Sequence, residues 1–124
     1  AFNMLDSNCI QANLCRGDWS RDSFDFTLGI FFQLVGPDQC NLLWHRMLEA
    51  TRPGGLIMIH GYTPKQLQFG TGGPPFVENM YTQACFKEVF GSCKTLAYDE
   101  YEAEQRSGSA HVGMSALADF IAQK

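Results

Sequence analysis

The residues best suited to chemistry in this chain are histidines and tyrosines at the ends of apolar runs. His60 closes LIMIH (56–60), Tyr62 follows two positions later, and His111 opens HVGMSALADFIA (111–122). Histidine changes charge near neutral pH and can take a proton from a bound acceptor. A tyrosine hydroxyl nearby can orient that acceptor. The structural alternative is that His60 only hydrogen-bonds a loop carbonyl. His45 falls inside a helical pattern and reads as a surface residue. The run QFGTGGPPF (68–76) raises a different chemistry, phosphate binding. A Walker loop needs Gly-Lys-Ser/Thr opening a helix, and no lysine follows here. A dinucleotide loop needs G-x-G-x-x-G between strand and helix, and Pro75 stands where the last glycine belongs. The prolines also remove backbone donors that a phosphate nest requires. What remains is a flap near the carboxyl end of a strand, where open α/β sheets bind ligands, or else a plain surface loop.

These residues need elements to hold them. NCIQAN (8–13) reads as a short strand with Cys9 and Ile10 as its apolar part, and LCRGDWSRDS (14–23) as a loop. FDFTLGIFFQL (24–34) is almost continuously apolar and aromatic, as expected of a strand buried on both faces of a parallel sheet. The period then changes. Pro37 suits a first helical turn, and Cys40, Leu43, Trp44, Met47 and Leu48 form one apolar stripe. Pro53, Gly54 and Gly55 end that helix, and LIMIH is a second strand. Strand, helix, strand over residues 24–60 is a βαβ unit, expected to cross over right-handed. TPKQL (63–67) suits one helical turn. Thr82 is the expected N-cap of a helix to Phe90, closed by Gly91. Residues 93–105 read as a strand, with Leu96, Tyr98 and Tyr101 on one side. DEYEAE (99–104) forms its solvated face. SGS (107–109) turns into a last strand from His111, an antiparallel neighbour.

Composition narrows the function classes. The 124 residues make one domain, 1–124, with a real core. The net charge of −4, with scattered positive residues, argues against nucleic acid as a partner. No apolar run is long enough to span a bilayer and no signal peptide is visible, so membrane contact is not expected. Five cysteines, an odd number without C-x-x-C, fit reduced thiols in a cytoplasmic protein, with no metal site. Cys40 and Cys85 are expected in the core.

Phe24-Asp25 before a strand, the amphipathic helix, then Arg52-Pro53-Gly54-Gly55 before a second strand, form an ordered set. Together they resemble the C-terminal half of a class I S-adenosylmethionine-dependent methyltransferase. YTPKQLQFGTGGPP (62–75) and the ending SAHVGMSALADFIAQK are similar to the tellurite-resistance-like branch of that family. The resemblance covers roughly residues 8–124. It implies an α/β fold with a partial Rossmann-like methyltransferase sheet: two parallel strands with a crossover helix, plus a C-terminal antiparallel hairpin. It also implies that the N-terminal glycine-rich half, which receives most of the cofactor, is not in this chain. The chain is then a natural truncation or a fragment.

The resemblance implies site residues as well. It sets the last strand antiparallel beside LIMIH, so His111 is expected to approach His60 and Tyr62 as the catalytic group. Asn13 and Leu14 match the adenine-receiving position, where Asn13 replaces the usual aspartate. Ile30, Phe31 and Phe32 match the segment flanking the methionine portion, where an aromatic ring attracts a sulfonium. Core packing is the alternative for all three. The expected cofactor is S-adenosylmethionine, with a small-molecule methyl acceptor that the residues do not identify. Strand 24–32 is expected to present an exposed apolar edge, so a homodimer through that edge is expected. A methyltransferase-like protein, incomplete or inactive alone, is the primary reading. A non-catalytic dimeric binding protein is the alternative.

Overall fold

A computed structural model describes residues 9–109 and 111–124, with the side chain of His111 outside the description. The first strand, β1 (Phe24–Ile30), runs into α1 (Pro37–Ala50) and then β2 (Thr51–Tyr62). A short α2 (Gln66–Phe69), a single 3-10 turn and α3 (Gln83–Phe90) follow, and β3 (Lys94–Ser107) and β4 (His111–Gln123) close the chain. The sheet order is β1-β2-β4-β3. Among the described residues only β1 and β2 pair in parallel, and both β2–β4 and β3–β4 are antiparallel. The expected α/β architecture, a parallel pair with its crossover helix plus a C-terminal hairpin, is the one observed.

Helices α1 and α3 pack together on one face. The stripe predicted for α1 buries Cys40, Leu43, Trp44 and Met47, with Pro37 at the start of the helix. Trp44 meets Tyr81 and Phe86, and Phe86 stacks on Phe120 of β4 with centroids 4.5 Å apart and planes 3° apart. Such aromatic pairs add to the burial of their area. Thr82 caps α3 as predicted, its hydroxyl accepting from the Cys85 amide at 3.3 Å.

Several expectations are corrected. Residues 9–13 form no strand. Asn13 starts a turn instead, accepting the Cys15 amide on its side chain and the Arg16 and Gly17 amides on its carbonyl. Arg52-Pro53-Gly54-Gly55 does not separate helix from strand, because β2 already begins at Thr51. A register shift between Phe24 and Phe26 absorbs the extra residues there. Gly54 takes a φ of 81°, a left-handed value that favours glycine. The strand predicted over 24–34 ends at Ile30 and is not buried on both faces. Phe24, Phe26, Leu28 and Ile30 are about half exposed, although Ile10 and Trp19 line a cleft of about 360 Å³ with the first three. Tyr98 and Tyr101 do not share a face: Tyr98 meets Phe86 beside α3, while Tyr101 packs with Tyr62 and Leu117 opposite.

Candidate functional site

The chemistry collects at the carboxyl ends of the two parallel strands. After Ile30 the chain turns sharply, and Phe31 adopts a φ of 52°. A left-handed aromatic residue costs about 1–2 kcal/mol, and such strain concentrates at functional sites. The Phe31 amide still donates to the His60 carbonyl at 2.9 Å. The turn lays the Phe31 ring edge-on to His60, with centroids 4.9 Å apart, and tilted against Tyr62 at 4.7 Å.

Two buried glutamines fix this arrangement. Gln33 donates to the carbonyls of Tyr62 (2.8 Å) and Asn79 (3.0 Å) and accepts the Tyr62 amide (2.7 Å). Gln66 donates to the Thr71 hydroxyl (3.1 Å) and the Gly72 carbonyl (3.0 Å), and accepts the Ala116 amide (2.8 Å). Thr71 also donates to the Met114 carbonyl. Gln66 thereby ties the glycine-rich segment to β4. A Cβ on Gly73 would lie 2.9 Å from the Tyr62 ring, so the flap touches that ring because it has no side chain there. The result is a cleft of about 400 Å³ lined by Phe31, Leu34, Tyr62 and the 72–74 turn. Burial pushes the Tyr62 hydroxyl above its ordinary range. A larger cleft of about 520 Å³ lies between α3 and β3. It is away from the strand ends and gathers none of the predicted site residues.

Of the expected group, His60 and Tyr62 both contact the Phe31 ring. His111 stands apart. The β2–β4 register sets Asp119, not His111, opposite His60, and His111 pairs with Ser107 at the far end of the hairpin. Eight residues of extended strand, at about 3.3 Å each, separate the two positions on β4. The error lay in assuming that the start of β4 reaches the end of β2; the long β3–β4 hairpin overshoots it.

His60 Nδ1 lies 2.6 Å from Asp119 Oδ1. Tyr101 neighbours the same carboxylate, and its hydroxyl is pushed up to about 12, first by burial, then by its interaction with Asp119 and the charge of Asp99. Asn13 and Leu14 stay apart. Both sit in the turn that Asn13 organises, and neither lines the cleft of Phe31 and Tyr62. Ile30 is the register partner of His60 and is half exposed outside the cleft. Sequence reasoning missed Asp119, Tyr101, Gln33 and Gln66. The one available signal was a charge inside the apolar run LADFIA.

The five cysteines are free thiols. No group of metal-binding side chains occurs among the described residues, and no described helix is long and apolar enough to cross a membrane.

No family model and no curated protein matches the sequence. Solved structures do match the fold. An S-adenosylmethionine-dependent methyltransferase from Methanosarcina mazei superposes with a TM-score of 0.68 at 15% identity, covering 91% of this chain and 65% of that one. TehB from Haemophilus influenzae gives 0.66 at 16%, covering 93% and 40%. The N-methyltransferase NodS from Bradyrhizobium japonicum, in complex with S-adenosyl-L-homocysteine, gives 0.62 at 8%, covering 91% and 52%. The chain thus spans between two fifths and two thirds of the length of these structures. At such identities the likeness is one of fold, and the fold is methyltransferase-like.

Proposed function

We propose that this chain carries the acceptor side of a small-molecule methyltransferase that uses S-adenosylmethionine. The observation that carries the reading is the strained turn at Phe31, which lines a cleft at the carboxyl ends of the parallel strands with the Phe31 and Tyr62 rings and sets His60 edge-on to Phe31 beside it. Ligands of open α/β sheets bind at that edge. The aromatic cleft fits the sulfonium end of the cofactor, because ring faces attract a desolvated cation. The adenine candidates fit less well: the Asn13 amide oxygen is engaged in its own turn, and Asn13 and Leu14 share no cleft with Phe31.

When bound, the cofactor supplies an electrophilic methyl group. Phe31 and Tyr62 would orient and desolvate that end of the site, and His60 would take the acceptor's proton. Positioning dominates such transfer, so the chain by itself is expected to be slow or inactive. Titration calorimetry with S-adenosylmethionine and S-adenosylhomocysteine tests the reading. Binding is expected, weakened about tenfold in Phe31→Ala by loss of the ring–cation contact. Absence of heat and of any thermal shift with either compound would overturn it.

A second reading, a non-catalytic dimeric binding protein on the same half-fold, is favoured by the outer edge of β1. That edge carries no partner strand among the described residues, and it is flanked by the half-exposed row Phe24, Phe26, Leu28 and Ile30. In either reading a homodimer through the β1 edge is part of the proposal.

A further inference from the structure

We propose that Asp119 is a positioning residue that makes His60 the proton acceptor beside this cleft, next to the Phe31 ring that lines it. This rests on the acceptor-site reading above and adds the group that gives His60 its orientation and tautomer.

The argument starts from register. His60 and Asp119 are directly opposed on β2 and β4, so their side chains leave the sheet on the same face. The contact at 2.6 Å joins Nδ1 to a carboxylate oxygen. A carboxylate only accepts, so the shared proton belongs to Nδ1. In the neutral ring Nε2 then holds the free electron pair. Nε2 has no hydrogen-bond partner among the described residues. The ring is held twice, by Asp119 at one nitrogen and by the edge-on Phe31 ring.

Asp119 has close neighbours of its own. The Tyr101 hydroxyl stands near it from β3. Asp99 lies directly opposite it on β3, a like-charge neighbour that raises the cost of leaving Asp119 without donors. His60 supplies a donor at 2.6 Å. When an acceptor X–H reaches Nε2, the X–H bond breaks, its electron pair stays on X, and the proton adds to Nε2. Asp119 then faces an imidazolium, which it stabilises.

The test needs neither methyl donor nor acceptor, so its failure is distinct from a failure of the calorimetry. Long-range proton–nitrogen NMR of the whole 124-residue chain reads the tautomer of each ring. Neutral His60 is expected as the Nδ1–H form alone, and Asp119→Asn is expected to abolish that preference. Carbethoxylation by diethyl pyrocarbonate, followed by peptide mass spectrometry, reads the reactivity of Nε2. The His60 rate is expected to fall about tenfold in Asp119→Asn and to recover in Asp119→Glu, as for other carboxylate-oriented histidines. Exposed His45 serves as the internal reference. A wild-type His60 protonated on Nε2, or a carbethoxylation rate unchanged in a folded Asp119→Asn, would overturn the proposal. Should Asp119→Asn fail to fold, the wild-type tautomer decides.

Discussion

Phe31 and Gly73 approach Tyr62 from different segments, both at positive φ, 52° and 84°. The value is ordinary for glycine, whereas on phenylalanine the surrounding contacts impose it. Burial likewise decides what Cys40 can do. It lies on the buried stripe of α1 among aromatic rings, and desolvation raises its thiol from the ordinary 9.0 to about 12, although the nearby Tyr81 hydroxyl opposes the shift. A thiol whose folded value is raised contributes stability that is intact below pH 9 and is lost as pH rises from 9 towards 12. Urea unfolding from pH 8 upward should show the midpoint falling across that window, with a shallower fall in Cys40→Ala. An equally steep fall in that variant would assign the loss to other groups. Cys40 was legible in the sequence as a core residue because it sits on the apolar stripe of α1. Asp119 was not, because a charge in an apolar strand announces a partner without naming it.

At the level of elements, Gln66 does what no periodicity foretells. It opens a helix of only four residues and spends its amide on the glycine-rich turn and on β4. Gln66→Ala would leave the buried Ala116 amide without its acceptor, at a cost of about 2–3 kcal/mol. The expected outcome is a lower unfolding free energy, faster hydrogen exchange at Ala116 and earlier proteolysis in 70–75. Unchanged exchange at Ala116 would mean that another group replaces the glutamine. Helices α1 and α3 were readable because their apolar stripes and caps are local signals. The end of β1 was not, because Phe31 and Phe32 continue the apolar run after the backbone has left the sheet. R-P-G-G misled for a related reason: glycine and proline mark irregular backbone, and here the irregularity is a register shift within pairing strands.

For the whole molecule, the two sheet edges differ in kind. The β3 edge is long, charged and exposed, with Asp99, Glu100, Glu102, Glu104 and Arg106 along it, a composition that resists pairing with another chain. The β1 edge is apolar and invites pairing. A two-fold pairing of β1 with its copy would double the four-stranded sheet and bring the two rows of Phe24, Phe26, Leu28 and Ile30 together on one face. Light scattering at micromolar concentration is expected to give twice the chain mass. Leu28→Glu, which sets like charges against each other across the two-fold, should return it to the monomer with its circular dichroism unchanged. A wild-type monomer would remove the dimer from the proposal.

The sequence by itself determined the helices, the α/β class and a place for the site at the strand ends, since these follow from hydrophobic period, caps and turn residues acting over a few positions. Tertiary structure alone decided the partner of His60. Strand register is fixed by the summed pairing of entire strands, and a long hairpin carried His111 away while bringing Asp119 into place.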